Sequence, residues 1–273
     1  MKGRIFTFVF GFCFAQTLFA NNVLIMTAPP EESEAHGKQQ YKITAEYISS
    51  VLGKTVMYEH PGDWMRYQRH IRNDYYDIVF DGPHLASWRM EHLGHNMLVR
   101  LPGNLQYYLL TASDNEKINS PDDLIGKKVC GIASPDLSTM SILAYFRNPA
   151  QQPVIRAITG SMVDVYQSFQ NGDCTAFVVR RIFYNKRLKE DEQQDLKIVS
   201  QTEELPNQVI SVSKRINSAE REKLQKALLS DIGTMAIQPT LTRFLDNANA
   251  FVPASNAQYK GYNRLLEGVI FGW

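Results

Sequence analysis

Two pairs of side chains have the chemistry to bind an oxyanion. Ser138 and Thr139 stand where a helix is predicted to begin, just after a turn at Pro135. The first backbone N–H groups of a helix have no partner within it, and the helix dipole favours negative charge there, so two hydroxyls would add donors to an anion site. Arg180 and Arg181 follow a predicted strand. A guanidinium can hold a carboxylate or a phosphate through two parallel hydrogen bonds.

Each pair also has a simpler interpretation. Ser138 could cap its own helix, which is a common role for serine at that position. The arginine pair could begin a solvated helix, or it could form a salt bridge between two lobes. The residues alone leave both interpretations open.

Three further candidates stand at predicted strand ends and turns. Asp81 and His84 flank the Gly-Pro step that ends one predicted strand, and Ser134 begins the turn before the Ser-Thr pair. Ligands of α/β folds bind near the carboxyl ends of strands, where His84 could donate a hydrogen bond to an oxyanion. Asp136 lies close by and would repel an anion unless its carboxylate points away.

A group of histidines and methionines offers a different chemistry. His84, His92 and His95, together with Met90 and Met97, have the composition of a copper or zinc site. His84 and His92 are two helical turns apart and His95 follows a glycine, so one shared site would be awkward. We therefore interpret them as surface or capping histidines and predict neither a metal nor a cofactor.

No sequence motif indicates catalysis. Nucleophilic catalysis needs a nucleophile, a base and an orienting group within reach of one another. The chain contains no Gly-x-Ser-x-Gly, no phosphate-binding P-loop, no Cys-x-x-Cys and no His-Glu-x-x-His. The sequence therefore predicts a binding protein with no catalytic residue.

The first twenty residues have the layout of a secretory signal peptide. Lys2 and Arg4 precede an apolar run at 5–14, and Ala20 ends a segment that resembles a cleavage site. A membrane anchor is the alternative, but the run is short for a span. Cleavage would remove two basic residues and no acidic ones, which changes the formal net charge from +1 to −1.

Cleavage would also remove Cys13 and leave an even pair, Cys130 and Cys174. In an exported protein this pair is a plausible disulfide, and two separate buried thiols are the alternative. The near-zero charge excludes a nucleic-acid binder that relies on a basic surface. The hydrophobic content of 44% excludes a disordered chain, and 273 residues allow one large domain or two modest ones.

Strand and helix patterns alternate along the chain. Strands are predicted at 23–26, 55–58, 76–80, 107–112, 128–133, 154–159, 175–179, 196–200 and 209–213. Helices are predicted at 41–52, 64–71, 84–92, 120–124, from the turn at 134–139 to about 146, and at 162–170, 181–189, 218–229, 240–245 and 256–266. This alternation predicts an α/β fold around a mostly parallel sheet. Because the pattern restarts near 107, we expect two lobes, one of 21–108 plus 206–273 and one of 109–205, with a hinge and a cleft between them.

Several segments resemble one family of receptors. They are PEE at 30–32 with YKITAEYI at 41–48 and LGKTV at 52–56, YDIVFDGP at 76–83, SPDDLIGKKV at 120–129 with SPDLST at 134–139, and VYQSFQNGDCTAFVV at 165–179. In this order the chain resembles the phosphonate-binding, PhnD-like group of periplasmic solute-binding proteins of ABC transporters. The resemblance implies a type II periplasmic binding fold, and it implies that Ser138 and Thr139 hold the oxygens of a phosphonate.

The sequence departs from the family pattern at three places. Met140 stands soon after the Ser-Thr pair, where the family usually has a glycine that allows close backbone approach. Ala86 is the nearest match to a tyrosine that often follows the Gly-Pro step. Arg180 and Arg181 replace an acidic residue that would suit an amine on the ligand. These departures favour an anion without an amine.

We therefore expect a periplasmic receptor that closes two lobes over a small anion and delivers it to an inner-membrane ABC permease. The anion would be phosphate, phosphite, a phosphonate or an organic carboxylate, and the expected ligand-binding residues are Ser134, Ser138, Thr139, Arg180, Asp81 and His84. We expect no nucleic-acid partner and no stable membrane insertion after signal cleavage. Two alternatives remain: a protein that presents its ligand to a sensor histidine kinase, and a periplasmic metal-binding protein.

Overall fold

The computed structural model of the protein describes residues 23–244 and 250–268. The predicted signal peptide, residues 1–20, lies outside these ranges, as does Cys13. Within them, no helix combines the length and the apolar character that crossing a lipid bilayer requires.

Strands and helices alternate through most of the described chain. The strands are β1 (Leu24–Thr27), β2 (Val56–Tyr58), β3 (Ile78–Asp81), β4 (Asn96–Arg100), β5 (Asn104–Leu105), β6 (Tyr107–Ala112), β7 (Lys128–Ile132), β8 (Val154–Ile158), β9 (Ala176–Arg180), β10 (Leu196–Gln201), β11 (Leu205–Pro206), β12 (Val209–Val212) and β13 (Val252–Pro253). The α-helices are α1 (Glu34–Leu52), α2 (Trp64–Arg72), α3 (Pro83–Leu93), α4 (Leu137–Leu143), α5 (Met162–Gln170), α6 (Arg181–Arg187), α7 (Glu190–Gln194), α8 (Ser218–Leu228), α9 (Asp231–Ala236), α10 (Gln238–Phe244), α11 (Asn256–Tyr259) and α12 (Arg264–Glu267). A 3₁₀ helix spans Pro121–Leu124.

Two larger sheets form the centres of two lobes, so the predicted α/β architecture is confirmed. The first sheet has the order β13-β4-β12-β3-β1-β2 and the second the order β10-β6-β9-β7-β8. The prediction of mostly parallel sheets is wrong. Pairing is parallel only around β1 and β7, because β12 and β13 in the first sheet and β6 in the second run opposite to the strands beside them.

The chain passes from the first sheet to the second through residues 101–106 and returns through 202–208. These two connections are hydrogen-bonded to each other, since β5 pairs with β11 and places Leu105 opposite Leu205. Both leucines are buried in the core of the second lobe. The two connections therefore form one small unit between the lobes.

Each lobe has an apolar core on its sheet. In the first lobe, Ile48 of α1 and Leu224 of α8 pack against Met26 and Phe80. In the second lobe, Cys130 of β7 and Cys174, just before β9, form the predicted disulfide, with a Cα–Cα distance of 5.7 Å. The disulfide lies in a buried apolar cluster.

Two glycines end helices as predicted. Gly53 follows α1 and Gly94 follows α3, each with a positive φ (67° and 72°) that glycine adopts without the strain of a side chain. The stop after α3 turns the chain directly into β4, and the stop after α1 leads into β2. The segments that follow β1 and β2, residues 30–31 and 62–64, face residues of the second lobe across a cavity.

Candidate ligand-binding cleft

Two cavities lie between the lobes and meet at four residues. The larger has a volume of about 660 Å³ and the smaller about 20 Å³. Glu31, Trp64, Asp136 and Arg180 line both of them, and we call the two cavities together the cleft. A separate cavity of about 580 Å³ lies between β10, the end of α4 and residues 261–265.

Arg180 lies at the centre of the cleft, at the end of β9 and the start of α6. Burial alone would lower the pKa of Arg180, but the neighbouring Tyr107, Glu31 and Asp136 raise it, so the guanidinium remains a cation. Its Nε is enclosed and has no hydrogen-bond partner among the described residues. Arg180 thus brings a buried positive charge and one unpartnered N–H group to the cleft wall, beside the carboxylates of Glu31 and Asp136.

Arg181 points elsewhere. Its Nη1 donates to Gln106 Oε1 at 2.6 Å and lies 3.2 Å from Glu204 Oε1, so it bonds to the connections between the lobes. It does not line the cleft. Of the two neighbouring arginines, Arg180 therefore lines the cleft and Arg181 bonds to the connections between the lobes.

His84 lies on the first-lobe wall of the cleft and touches the second lobe. Its Nε2 is 2.9 Å from the backbone oxygen of Pro135, and because a carbonyl oxygen only accepts, Nε2 carries the proton. Burial lowers the pKa of His84 and keeps the imidazole neutral, which leaves Nδ1 as an acceptor. Nδ1 is enclosed and has no hydrogen-bond partner among the described residues.

The hydroxyls of Ser138 and Thr139 are used within the protein. Asp136, not Ser138, caps α4, because its Oδ1 accepts from the Ser138 backbone N–H at 2.9 Å and from the Ser138 hydroxyl. Thr139 Oγ1 donates to the Ile132 oxygen at 2.6 Å. The start of α4 is thus already occupied by a carboxylate of the chain itself. Ser134 is exposed and does not line the cleft.

Asp81 is also held inside the protein. Its carboxylate accepts two hydrogen bonds from Arg89, at 2.6 and 2.7 Å, and one from the Tyr67 hydroxyl at 2.6 Å. Burial and the Asp81 charge raise the pKa of Tyr67, which therefore remains a donor. Arg89 Nη2 also donates to Ser211 Oγ at 2.9 Å. The structure places Asp81 in a buried ion pair beneath the cleft wall.

The cleft contains residues that the sequence analysis missed as site residues. Glu31, Asp63 and Trp64 line its first-lobe side. Each follows a strand of the first sheet, Glu31 after β1 and the other two after β2. Their position after strand ends is the signal that could have found them. The second-lobe side of the larger cavity is mixed: its apolar lining is Ile132, Ala133, Ile158, Met162, Ile182 and Phe183, and its polar lining is Asp136, Thr159, Ser161, Arg180 and Arg187.

The three neighbouring histidines lie in three different environments. His92 Nε2 is 2.6 Å from Glu267 Oε1, and His95 is buried beside Asp74 and Ser211, whereas His84 lines the cleft. Among the described residues, no three His, Cys, Asp or Glu side chains are grouped closely enough to hold a metal ion.

The sequence profile of one protein family, described as "ABC transporter, phosphonate, periplasmic substrate-binding protein", matches residues 26–259. No curated protein matches the sequence significantly.

Several solved structures have a similar fold. XAC2383 from Xanthomonas citri, bound to ATP, aligns with a TM-score of 0.71 and 14% identity over 90% of this chain and 96% of its own. PhnD1 from Prochlorococcus marinus, in complex with methylphosphonate, aligns with a TM-score of 0.67 and 17% identity over 89% and 96%. A binding protein component of an ABC phosphonate transporter from Pseudomonas aeruginosa aligns with a TM-score of 0.61 and 13% identity over 89% and 85%. At these identities the similarity establishes the fold.

Proposed function

Because the chain belongs to the phosphonate-binding family of periplasmic substrate-binding proteins of ABC transporters, we propose that it binds a small oxyanion of the phosphate, phosphite or phosphonate type between its lobes. The two lobes are centred on the two larger sheets and join at residues 101–106 and 202–208, close to the bounds predicted from the sequence. The bound form is presented to an inner-membrane permease. Residues 1–20 direct export to the periplasm, and the protein itself performs no chemistry on its ligand.

The observation that carries this proposal is the position of Arg180. A buried guanidinium with an unpartnered Nε, on a cavity wall, supports a ligand that offers an anionic oxygen. Hydrogen bonds to a charged group in a site removed from water are about twice as strong as neutral ones. Arg180 therefore supplies the anchor that the hydroxyls of Ser138 and Thr139 do not.

The two ends of the cleft support an organic oxyanion over an inorganic one. Around Arg180, Asp136 and His84 the space is narrow and polar. Away from them the larger cavity is bordered by apolar side chains such as Met162 and Phe183, together with Ser161 and Arg187. An anionic head beside Arg180 and a small apolar group towards α6 would fill both parts.

Contact between the lobes supports a closing motion as the signal to the permease. The His84 Nε2–H bond to the Pro135 oxygen joins the first lobe to the second at the edge of the cleft. A ligand that contacts Arg180 from one lobe and Trp64 from the other would favour the same approach of the lobes.

The test is ligand binding by wild-type protein and by Arg180→Met, measured by calorimetry with phosphate, phosphite and methylphosphonate. We expect at least one ligand to bind and raise the melting temperature, and Arg180→Met to weaken it at least about 30-fold, as when one partner of a buried charge pair is removed. Arg181→Met is the matched control and should change affinity little, because Arg181 bonds outside the cleft. The absence of binding by wild-type protein with every anion would refute the proposal.

A further inference from the structure

The cleft contains hydrogen-bond acceptors that a fully deprotonated anion cannot use. Asp136 lines both cavities beside Arg180 and is largely buried. Its Oδ1 accepts two hydrogen bonds from Ser138, while no hydrogen bond from a described residue reaches Oδ2. A carboxylate oxygen can only accept, so a ligand atom beside Oδ2 must be a donor or it will be repelled.

A second acceptor lies in the same region. His84 Nδ1 has a lone pair, because the proton of this neutral imidazole is on Nε2, in the bond to the Pro135 oxygen. Nδ1 is enclosed and unpartnered among the described residues, and His84 lines the smaller cavity with Asp136 and Arg180. Around the smaller cavity, Arg180 thus offers a donor, and Asp136 and His84 offer acceptors, with the Glu31 carboxylate on the same wall.

We propose that Asp136 selects oxyanions that carry their own O–H, which donates to Asp136 while the anionic oxygens accept from Arg180. This inference rests on the proposed function and specifies its ligand class. Hydrogen phosphate, hydrogen phosphite and a singly protonated phosphonate have such an O–H. Sulfate and sulfonates have none, so each would place an acceptor against Asp136 and leave its Oδ2 without a hydrogen-bond donor.

The expected discrimination is large. Sites built to hydrogen-bond one polar group of a ligand reject the analogue that lacks it by factors of about 10⁴. The cleft of this protein is partly open, so we expect wild-type protein to prefer the protonated anion by at least about 100-fold. Size and total charge do not explain such a preference when the two ligands are of the same shape and both are monoanions.

Methylphosphonate and methanesulfonate are such a pair, in mildly acidic buffer where the phosphonate keeps one O–H. We expect wild-type protein to bind the first and not the second at comparable concentration. Asp136→Asn should bring the two affinities to within about tenfold, because the amide can donate to a sulfonate oxygen. Asparagine also caps helices well, so α4 should persist, and circular dichroism and the melting temperature will verify this.

Asp63→Asn is the matched control, since Asp63 is also a capping carboxylate on the cleft wall, at the start of α2. It should leave the preference for methylphosphonate unchanged. Equal binding of both ligands by wild-type protein would overturn this inference and leave the proposed function standing, as would an unchanged preference in Asp136→Asn. Failure of wild-type protein to bind methylphosphonate, phosphate or phosphite would instead overturn the proposed function, and this inference with it.

Discussion

Lowering the pH should destabilise the protein through His95. This side chain is buried in the first lobe, near the cations Arg89, Arg215 and Lys214, while Asp74 Oδ1 is 3.5 Å from its Nε2. Burial is the main cause and the cations add to it, and together they lower the pKa of His95 to about 2. The folded protein therefore keeps His95 neutral through the mildly acidic range.

The sign follows from comparing the folded and unfolded states. In the unfolded chain a histidine takes up its proton near pH 6.5, so below that value the unfolded state binds a proton that the folded state does not. The contribution of His95 to the free energy of unfolding is fully present above about pH 6.5. It falls by about 1.4 kcal/mol for each unit by which the pH drops below that value. Between about pH 7.5 and about pH 4.5, the free energy of unfolding should fall by about 2.7 kcal/mol because of His95 alone.

Urea unfolding of wild-type protein and of His95→Gln at both pH values measures this loss. Carboxylates and the other histidines titrate in both proteins, so the difference between the two pH dependences isolates His95. His36→Gln, in an exposed position on α1, is the control and should retain the wild-type pH dependence. If His95→Gln loses as much stability on acidification as wild-type protein does, the reasoning is wrong.

Two further stability predictions follow from buried groups. Asp81→Asn should lower the free energy of unfolding by about 3–5 kcal/mol in urea, because it leaves the Arg89 guanidinium buried without its carboxylate; a loss below about 1 kcal/mol would contradict the role of this ion pair. Replacing both Cys130 and Cys174 by serine should lower the free energy of unfolding by about 4 kcal/mol, since the disulfide closes a loop across a sequence separation of 44. Two free thiols in native wild-type protein would contradict the disulfide itself.

Local sequence signals predicted most elements well. The strand predicted at 107–112 and the helix predicted at 162–170 coincide with β6 and α5. Both are bounded by strong signals, such as Ser161 before α5 and the turn at 171–173 after it. Strand direction was not predictable in the same way, because it depends on which distant strand becomes the neighbour. β4 was not predicted for a related reason. It begins directly after Gly94, which ends α3, and it is a strand because it pairs with the distant β12.

The candidate site was predictable in part. Arg180 and His84 were found because charged and polar residues after strand ends tend to face a cleft. An anion was predicted at the start of α4, but the sequence did not indicate that Asp136 would cap this helix. Asp81 has the same strand-end position as a ligand-binding residue, and only the packing of α3 reveals that Arg89 holds it. Such pairings arise from tertiary contacts that no short motif specifies.

The topology also constrains the order in which the chain can fold. The strands of the second sheet come from one continuous stretch, 107–201, whereas β12 of the first sheet lies between β3 and β4 and is made after all of them. Non-local pairing of this kind is slow, because a long loop must close before the new contacts form. The first sheet therefore cannot be complete until residues 209–212 pair with β3 and β4 and residues 252–253 pair with the other edge of β4. A chain that emerges amino terminus first therefore exposes one edge of β3 until residues 209–212 are made, and one edge of β4 until residues 252–253 are made.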